Sequence, residues 1–305
     1  MAFLRVLLAT GVWGTALLAQ LQPRQDRFDL QPTVAALRTH VAATGDADRT
    51  VAGSAWLMQA FLATGSTMRS GPSRSELRLL AVWLRVVQAK DGRFAPGDVP
   101  CSRGDQVLAA MAVCELSTLS NYALLKPTWV RAADAAAATF EAPDATPVDT
   151  YEAALLALLA NSVEWVGERD LAKRLRHLAQ PVADAHSVGP TRREDAARQL
   201  VRQLLGATAP ADLIAALVWP PDLGADPLHA FLAVHALTPH RAQLARHLEP
   251  LNRLAARRAA AAGDGALWPA ATGLDAVTTS AVLTLVLSQA EAQLAHRDDD
   301  PPKPK

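Results

Sequence analysis

The sequence predicts an all-α protein in which six pairs of helices, each with an outer and an inner member, close into a ring. Half of its 305 residues are hydrophobic but only 5% are aromatic, a composition typical of closely packed helices rich in Ala and Leu. Six segments repeat one order of an amphipathic helix, a polar connection and a more uniformly apolar helix, with a spacing of roughly 45 residues. The exception is 195–205, where Arg198 and Arg202 predict a more exposed helix. A helix that is apolar on every side must be covered on every side, so the uncharged helices are assigned to the interior.

The six outer helices each carry one apolar stripe at helical spacing, with charged residues on the opposite face. Leu171, Leu175 and Leu178 form such a stripe, opposite Arg169 and Arg176. We therefore interpret the basic clusters of these helices as solvated outer faces rather than phosphate sites. The predicted outer helices span residues 33–43, 75–88, 126–140, 168–179, 210–219 and 241–262.

Each inner helix is predicted to begin at an Asp, whose carboxylate accepts hydrogen bonds from the free N–H groups of the first turn. Pro227, directly after one such Asp, fits the first helical position. The last inner helix, 277–287, is among the most apolar, whereas an open array needs polar end repeats, so we expect a closed ring rather than an open solenoid. The six predicted caps are Asp48, Asp105, Asp149, Asp195, Asp226 and Asp275.

The connection that follows the second outer helix carries a sequence motif. Gln88, Asp91, Gly92 and Phe94 form Gln-x-x-Asp-Gly-x-Phe, and residues 264–269 keep the Asp-Gly and an aromatic residue, Trp268. This motif resembles the QW-type repeat of the squalene cyclase and protein prenyltransferase superfamily. The resemblance implies a prenyltransferase-like α/α toroid of six helix pairs, which we place at residues 33–291.

The catalytic signatures of that superfamily do not carry over. The acidic motif of the cyclases has no counterpart except residues 298–300 in the tail, and neither Cys101 nor Cys114 matches the zinc site of the prenyltransferases. Nucleotide-binding loops and nucleophile elbows are also missing from the sequence. His229 and His235 are six residues apart, on different helix faces. We therefore predict no cofactor and no metal site.

Parallel inner helices would gather their N-termini at one end of the ring, here called the mouth. Four carboxylates there are catalytic candidates, since a carboxylate pair can serve as general acid and base on a glycosidic bond: Asp105, Asp149, Glu152 and Asp226. An ordinary capping role is the alternative for each Asp. The ligand-binding candidates are Arg103, Tyr151, Asp195, His229, Asp275 and Trp268.

These observations leave three functions open. The leading hypothesis is a binding or interaction module with an unknown ligand or protein partner at the mouth. The alternatives are a carbohydrate-active hydrolase or lyase that uses rim carboxylates, and a terpene cyclase or prenyltransferase-like enzyme with displaced acids, which the few aromatic residues disfavour. Thirty basic residues balance thirty acidic ones, so no overall field attracts nucleic acid.

The two ends of the chain differ from the helical repeat. Residues 1–19 resemble a signal peptide, because Arg5 precedes a stretch without charge, 6–19, that is shorter than the ~20 residues of a membrane span. Residues 20–32 are predicted as a linker and 292–305 as a disordered polar tail. We expect an exported protein, periplasmic or secreted. The alternative is an uncleaved N-terminal anchor, the only membrane contact predicted.

Overall fold

The computed structural model describes residues 28–143, 145–185, 191–206, 225–238, 244, 248–261, 267–271 and 273–295. This part of the chain holds eleven α-helices and no β-strand, which confirms the all-α prediction. None of the described helices combines the length and apolar character needed to span a bilayer. The predicted signal peptide, linker residues 20–27, the outer helix predicted at 210–219 and tail residues 296–305 lie outside the described residues.

The described helices follow the predicted alternation. The outer helices are α1 (Gln31–Ala43), α3 (Arg74–Val86), α5 (Lys126–Glu141), α7 (Arg169–Asp184) and α10 (Leu248–Ala261). The inner helices are α2 (Val51–Ala63), α4 (Arg103–Leu119), α6 (Thr150–Trp165), α8 (Arg192–Leu204), α9 (Pro227–Leu237) and α11 (Ala276–Ala295). Helix α11 therefore includes four residues, 292–295, that the sequence had placed in the tail.

The difference in charge between the two sets corresponds to a difference in burial. On α7 the buried side chains follow a single stripe that includes Ala172, Leu175 and Ala179. On α6, in contrast, every residue from Glu152 to Ala160 is buried. Because most inner helices are covered on nearly all sides, their apolar side chains form most of the core. Helix α8 is more polar, and only residues 196, 197 and 199–201 of it are buried.

The inner helices pack against one another in chain order. Helix α2 packs against α4, α4 against α6, α6 against α8, α8 against α9, and α9 against α11, while α11 also packs against α2. The outer helices cover them, with α3 on α2, α5 on α4, α7 on α6 and α1 on α11. Contacts between α4 and α6 at two levels, Arg103 with Glu152 and Glu115 with Ser162, make this pair parallel.

The predicted Asp caps are correct for α6, α9 and α11. Asp149, Asp226 and Asp275 accept the N–H of the third helical residue at 2.7, 3.0 and 2.8 Å. The prediction is wrong for α2, α4 and α8, because a hydroxyl residue directly before each helix performs the same role. These caps are Thr50, Ser102 and Thr191. Asp48 lies in a 3-10 turn before α2, whereas Asp105 and Asp195 lie in the first turn of their helices, where the helix dipole favours a carboxylate.

The Gln-x-x-Asp-Gly-x-Phe motif fastens the connection after α3 to α5. The Gln88 amide donates to the carbonyl oxygens of Gly92 and Thr128 at 3.2 and 2.9 Å. Gly92 has a φ of +91°, and a Cβ atom there would lie 2.2 Å from the carbonyl oxygen of Arg131. Only glycine fits this close approach, so the motif has a structural role at this position.

The same connection is fastened to the start of α4. Phe94 is fully buried, and its N–H donates to the Gln106 side chain at 2.8 Å. The Gln106 amide donates in turn to the Ala132 carbonyl at 2.9 Å. The motif thus joins the outer helix α3, the inner helix α4 and the outer helix α5 at one point.

Candidate functional site

The starts of α4 and α6 are tied together by Arg103. Its guanidinium donates to both carboxylate oxygens of Glu152, at 3.0 and 2.8 Å, and to the Thr146 carbonyl at 2.9 Å. It also lies 4.5 Å from the centre of the Phe140 ring. Glu152 accepts the N–H of Asp149 as well, completing a capping box. The structure thus brings three predicted residues together, but it places Glu152 in a bidentate ion pair that fixes helix geometry.

Tyr151 lies on α6 between the starts of α4 and α8. Burial raises the pKa of its hydroxyl well above the ordinary value, Asp105 and Asp149 raise it further, and Arg193 opposes them. The phenol therefore stays protonated at neutral pH, so it can donate a hydrogen bond but cannot serve as a base.

The starts of α8 and α9 are linked by Arg193 and Asp226. One oxygen of Asp226 accepts the N–H of His229 at 3.0 Å and lies 3.7 Å from the Arg193 guanidinium. His229 is buried, and this burial lowers the pKa of its imidazole; Asp226 opposes the shift, while Arg192 and Arg193 add to it. The imidazole is therefore mainly neutral at pH 7.

The remaining predicted ligand residues are Asp275, Asp195 and Trp268. Asp275 caps α11 and accepts both the N–H and the hydroxyl of Thr278, at 2.8 and 2.9 Å. Burial raises the pKa of its carboxyl, but the hydrogen bonds from Thr278 and from the backbone N–H groups of Val277 and Asp275 together lower it by more. Asp195 is half-buried in the first turn of α8. Trp268 is buried, and its indole N–H donates to the Leu254 carbonyl at 3.3 Å, so it braces α11 against α10.

A buried carboxyl that the sequence analysis did not select lies deeper among the inner helices. Glu115 on α4 accepts the hydroxyl of Ser162 on α6 at 3.0 Å. Burial raises the pKa of Glu115 to about 7, while Ser162 and the nearby Gln59 amide of α2 hold it down. The amide nitrogen of Gln59 makes no hydrogen bond of regular geometry with the described residues. Three successive inner helices therefore meet at one titratable group.

A second buried titratable group lies on α9. Burial lowers the pKa of His235 to about 3, so the imidazole is neutral. Its ring packs edge-on against Phe231 at 4.4 Å, and Phe231 packs edge-on against Trp56 of α2 at 5.0 Å. Because α11 packs against both α2 and α9, the contact between Trp56 and Phe231 joins helices on either side of α11.

Every inner helix carries a buried polar side chain between 7 and 12 residues after its first residue. We call this set the interior polar layer: Gln59, Glu115, Ser162, Gln199, His235 and Thr284. In the described part of the chain, polar atoms of Gln59, Gln199, His235 and Thr284 have no hydrogen-bond partner. The sequence shows a polar residue at each of these positions, but it does not show that the side chain is buried.

A groove on the outer surface lies between α1 and α3. It has a volume of about 550 Å³ and is lined by residues that include Ala42, Arg49, Arg78 and Trp83. Helix α3 exposes three apolar side chains along it: Leu79 is 37%, Val82 60% and Val86 76% exposed. These three side chains are a second apolar stripe on α3, next to the buried stripe that the sequence analysis used.

No known protein family, curated protein or solved structure matches this chain. Its polar groups are concentrated at three places: the N-terminal ends of the inner helices, the interior polar layer and the groove between α1 and α3. At the first of these, Asp149, Asp226 and Asp275 each accept hydrogen bonds from their own helix. Glu152 is held by Arg103.

Proposed function

We propose that the chain is an α/α toroid of six helix pairs, of the kind that the QW-type motif implies, and that it acts as an interaction module. The contact that returns from α11 to α2 supports a closed ring. The way in which Gln88 and Gly92 fasten successive helices supports a structural repeat. The protein surface that the module uses is the groove between α1 and α3.

The arrangement at the mouth gives little support to catalysis there. A glycosidase needs one carboxyl group that is free to protonate the leaving group and a second at ~5 to 10 Å on the other side of the bond. Asp149 and Asp226 are instead N-caps, and the Glu152 carboxylate is bound by Arg103 and by a backbone N–H. These acids stabilise helix ends and give less support to the carbohydrate-active and terpene-cyclase alternatives.

The single observation that carries the proposal is the exposed apolar stripe of α3. Leu79, Val82 and Val86 lie at spacings of three and four residues, so they form one ridge along two turns of helix. A ridge beside a groove of this kind packs against the apolar face of another helix. The natural occupant is therefore an amphipathic helix.

Charge indicates the chemistry of that helix. The groove is lined by two cations, Arg49 and Arg78, and by one carboxylate, Asp46, which is paired with Arg49. Arg85 is exposed on α3 outside this lining. Acidic residues beside the apolar face of the partner would complement these cations and favour one orientation. Three side chains on two turns are too few for the ~800 Å² that each subunit of a stable dimer buries. We therefore assign the groove to a short acidic amphipathic helix of a partner protein rather than to a second copy of this chain.

A synthetic helical peptide tests this assignment. The probe carries Leu at positions i, i+3 and i+7 with Glu on both flanks, and fluorescence anisotropy measures its Kd. We expect binding that weakens at least tenfold in the Val82→Ser/Val86→Ser variant, and that weakens when Lys replaces Glu in the peptide. The matched control is Val99→Ser/Leu124→Ser, which removes two other apolar side chains that are 68% and 67% exposed and should leave Kd unchanged.

Two results would contradict the proposal. One is a peptide affinity that does not change when Val82 and Val86 are replaced. The other is dimerisation of the wild-type chain, measured by sedimentation, that the same replacement abolishes, since the groove would then hold a second copy.

A further inference from the structure

We propose that the starts of α8 and α9 form a binding site for an oxyanion, the phosphate or carboxylate group of a small molecule. The site consists of the side chains of Arg192, Arg193 and His229 and of the free backbone N–H groups at the start of α8. It does not depend on the groove between α1 and α3. The proposal rests on a buried imidazole without a partner and on two guanidinium groups beside it.

The first turn of α8 supplies the backbone part of the site. The hydroxyl of Thr191 caps the helix by accepting the N–H of Glu194 at 3.2 Å. The N–H groups of Arg192 and Arg193 come earlier in the chain, so they have no partner within the helix. Helix α8 is 13 residues long, and its dipole places partial positive charge at these N–H groups. This end of the helix therefore favours an anion.

His229, in the first turn of α9, is the observation that points to a ligand. The residue is only 4% exposed, and its ring nitrogens make no hydrogen bond with any described residue. Unlike Nε2 of His235, these nitrogens are not sealed from solvent. The backbone N–H of His229 is already bonded to Asp226 at 3.0 Å. The imidazole therefore needs a partner from outside the described chain.

Contacts bring the imidazole and the two guanidinium groups to the same place. The Asp226 oxygen that accepts the N–H of His229 lies 3.7 Å from the guanidinium of Arg193. The charges of Arg192 and Arg193 both lower the pKa of the imidazole, so both lie near the ring. The charge of Arg193 also lowers the pKa of the Tyr151 hydroxyl. The donors of α8 and α9 thus lie together at the starts of these helices.

The charges around the imidazole leave room for an added anion. Two of the three that act on the ring are the cations Arg192 and Arg193, and the third is the carboxylate of Asp226. Glu194 and Asp195 also lie in the first turn of α8, but neither acts on the ring. Arg192 makes no ion pair with a described residue. Its guanidinium can therefore bind an anion without first releasing another partner.

Exposure gives such an anion access. Arg192 is exposed, and the side chain of Arg193 is 42% exposed. The site is therefore open to solvent on the side of the guanidinium groups, while the imidazole of His229 lies at its buried end. A planar guanidinium donates two parallel hydrogen bonds to a carboxylate or phosphate. An oxyanion that enters from solvent would accept these bonds together with one from the imidazole N–H.

Isothermal titration calorimetry with sulfate and with acetate, at constant ionic strength, tests the proposal. Sulfate has the shape of a phosphate group and acetate is a carboxylate, so the tighter of the two identifies the class of ligand. We expect the Kd of that anion to rise about tenfold in Arg193→Gln. The matched control is Arg169→Gln, which removes the same charge from the start of the outer helix α7 and should leave Kd unchanged.

The pH dependence of binding tests the role of His229. A bound anion stabilises the protonated imidazole, so Kd should be lower at about pH 6 than at about pH 8. His229→Gln should remove this dependence. If that variant does not fold, Arg193→Gln decides alone, since its side chain is largely exposed. Equal affinity of wild type and Arg193→Gln would overturn the proposal, and so would the absence of binding of both anions at millimolar concentration.

Discussion

Replacing Glu115 by Gln should change how the folding stability of this protein depends on pH. Burial raises the pKa of the carboxyl from an ordinary value of 4.5 to about 7. The folded chain therefore binds this proton more tightly than the unfolded chain, and the free energy of unfolding falls as pH rises from 4.5 through 7. Each pH unit of that window corresponds to about 1.4 kcal/mol, so wild type loses about 3 kcal/mol across it.

The Glu115→Gln variant lacks this loss of stability at rising pH. Gln keeps an oxygen that can accept the Ser162 hydroxyl and carries no charge at any pH. The difference in unfolding free energy between Glu115→Gln and wild type should therefore move by about 3 kcal/mol in favour of the variant between pH 4.5 and pH 8. Urea denaturation at half-unit pH steps measures this difference, and other titrating groups cancel from it.

His235 makes the free energy of unfolding of the Glu115→Gln variant depend on pH as well. Burial lowers the pKa of this imidazole from 6.5 to about 3. A lowered histidine pKa means that stability is present above pH 6.5 and is lost as pH falls toward 3. In wild type this loss opposes the gain from Glu115 between pH 4.5 and 6.5, whereas in Glu115→Gln the opposing gain is absent. A constant difference between the two proteins at all pH values would refute the placement of Glu115 in a buried, desolvated layer.

Two further predictions concern the contacts that hold the helix pairs. Arg103→Ala leaves the nearly buried carboxylate of Glu152 without its partner. It should lower the free energy of unfolding by about 2 kcal/mol or more. Arg174→Ala, which breaks a more exposed ion pair, should lower the free energy of unfolding by about 1 kcal/mol or less. Gly92→Ala should destabilise by more than about 2 kcal/mol because its Cβ meets backbone, whereas Gly97→Ala, with open space around it, should lose about 1 kcal/mol. Urea denaturation checks both pairs, and equal losses within either pair would contradict the contacts described.

The helix pairs could be predicted because their signals are local. A stripe such as Leu77, Leu80 and Leu84 lies on one helix, and the structure buries all three side chains. Helix caps are also local, but several residue types can fill the position, so hydroxyl residues such as Ser102 replaced the expected Asp in half of the inner helices. The type of capping residue was therefore less certain than the helix start.

The functional features depend on packing between distant residues. Arg103 and Glu152 are 49 positions apart, and their ion pair exists only because α4 and α6 start side by side. The interior polar layer is similar: Gln59 and Glu115 lie on different helices, and their contact depends on how α2 packs against α4. The exposed stripe at Val82 and Val86 was visible in the sequence, but only burial distinguishes it from the core stripe.

A designed disulfide between α2 and α11 tests whether the ring closes. A Cβ atom at Gly53 would lie 3.8 Å from the hydroxyl oxygen of Thr278 and 2.9 Å from that of Thr50, so cysteines at 53 and 278 come within reach of each other once the Thr50 side chain moves aside. If α11 returns to α2, Gly53→Cys/Thr278→Cys should form an intramolecular disulfide on mild oxidation and unfold at higher urea than its reduced form. If the helices form an open array, the two cysteines lie far apart, and the oxidised monomer will keep both thiols free.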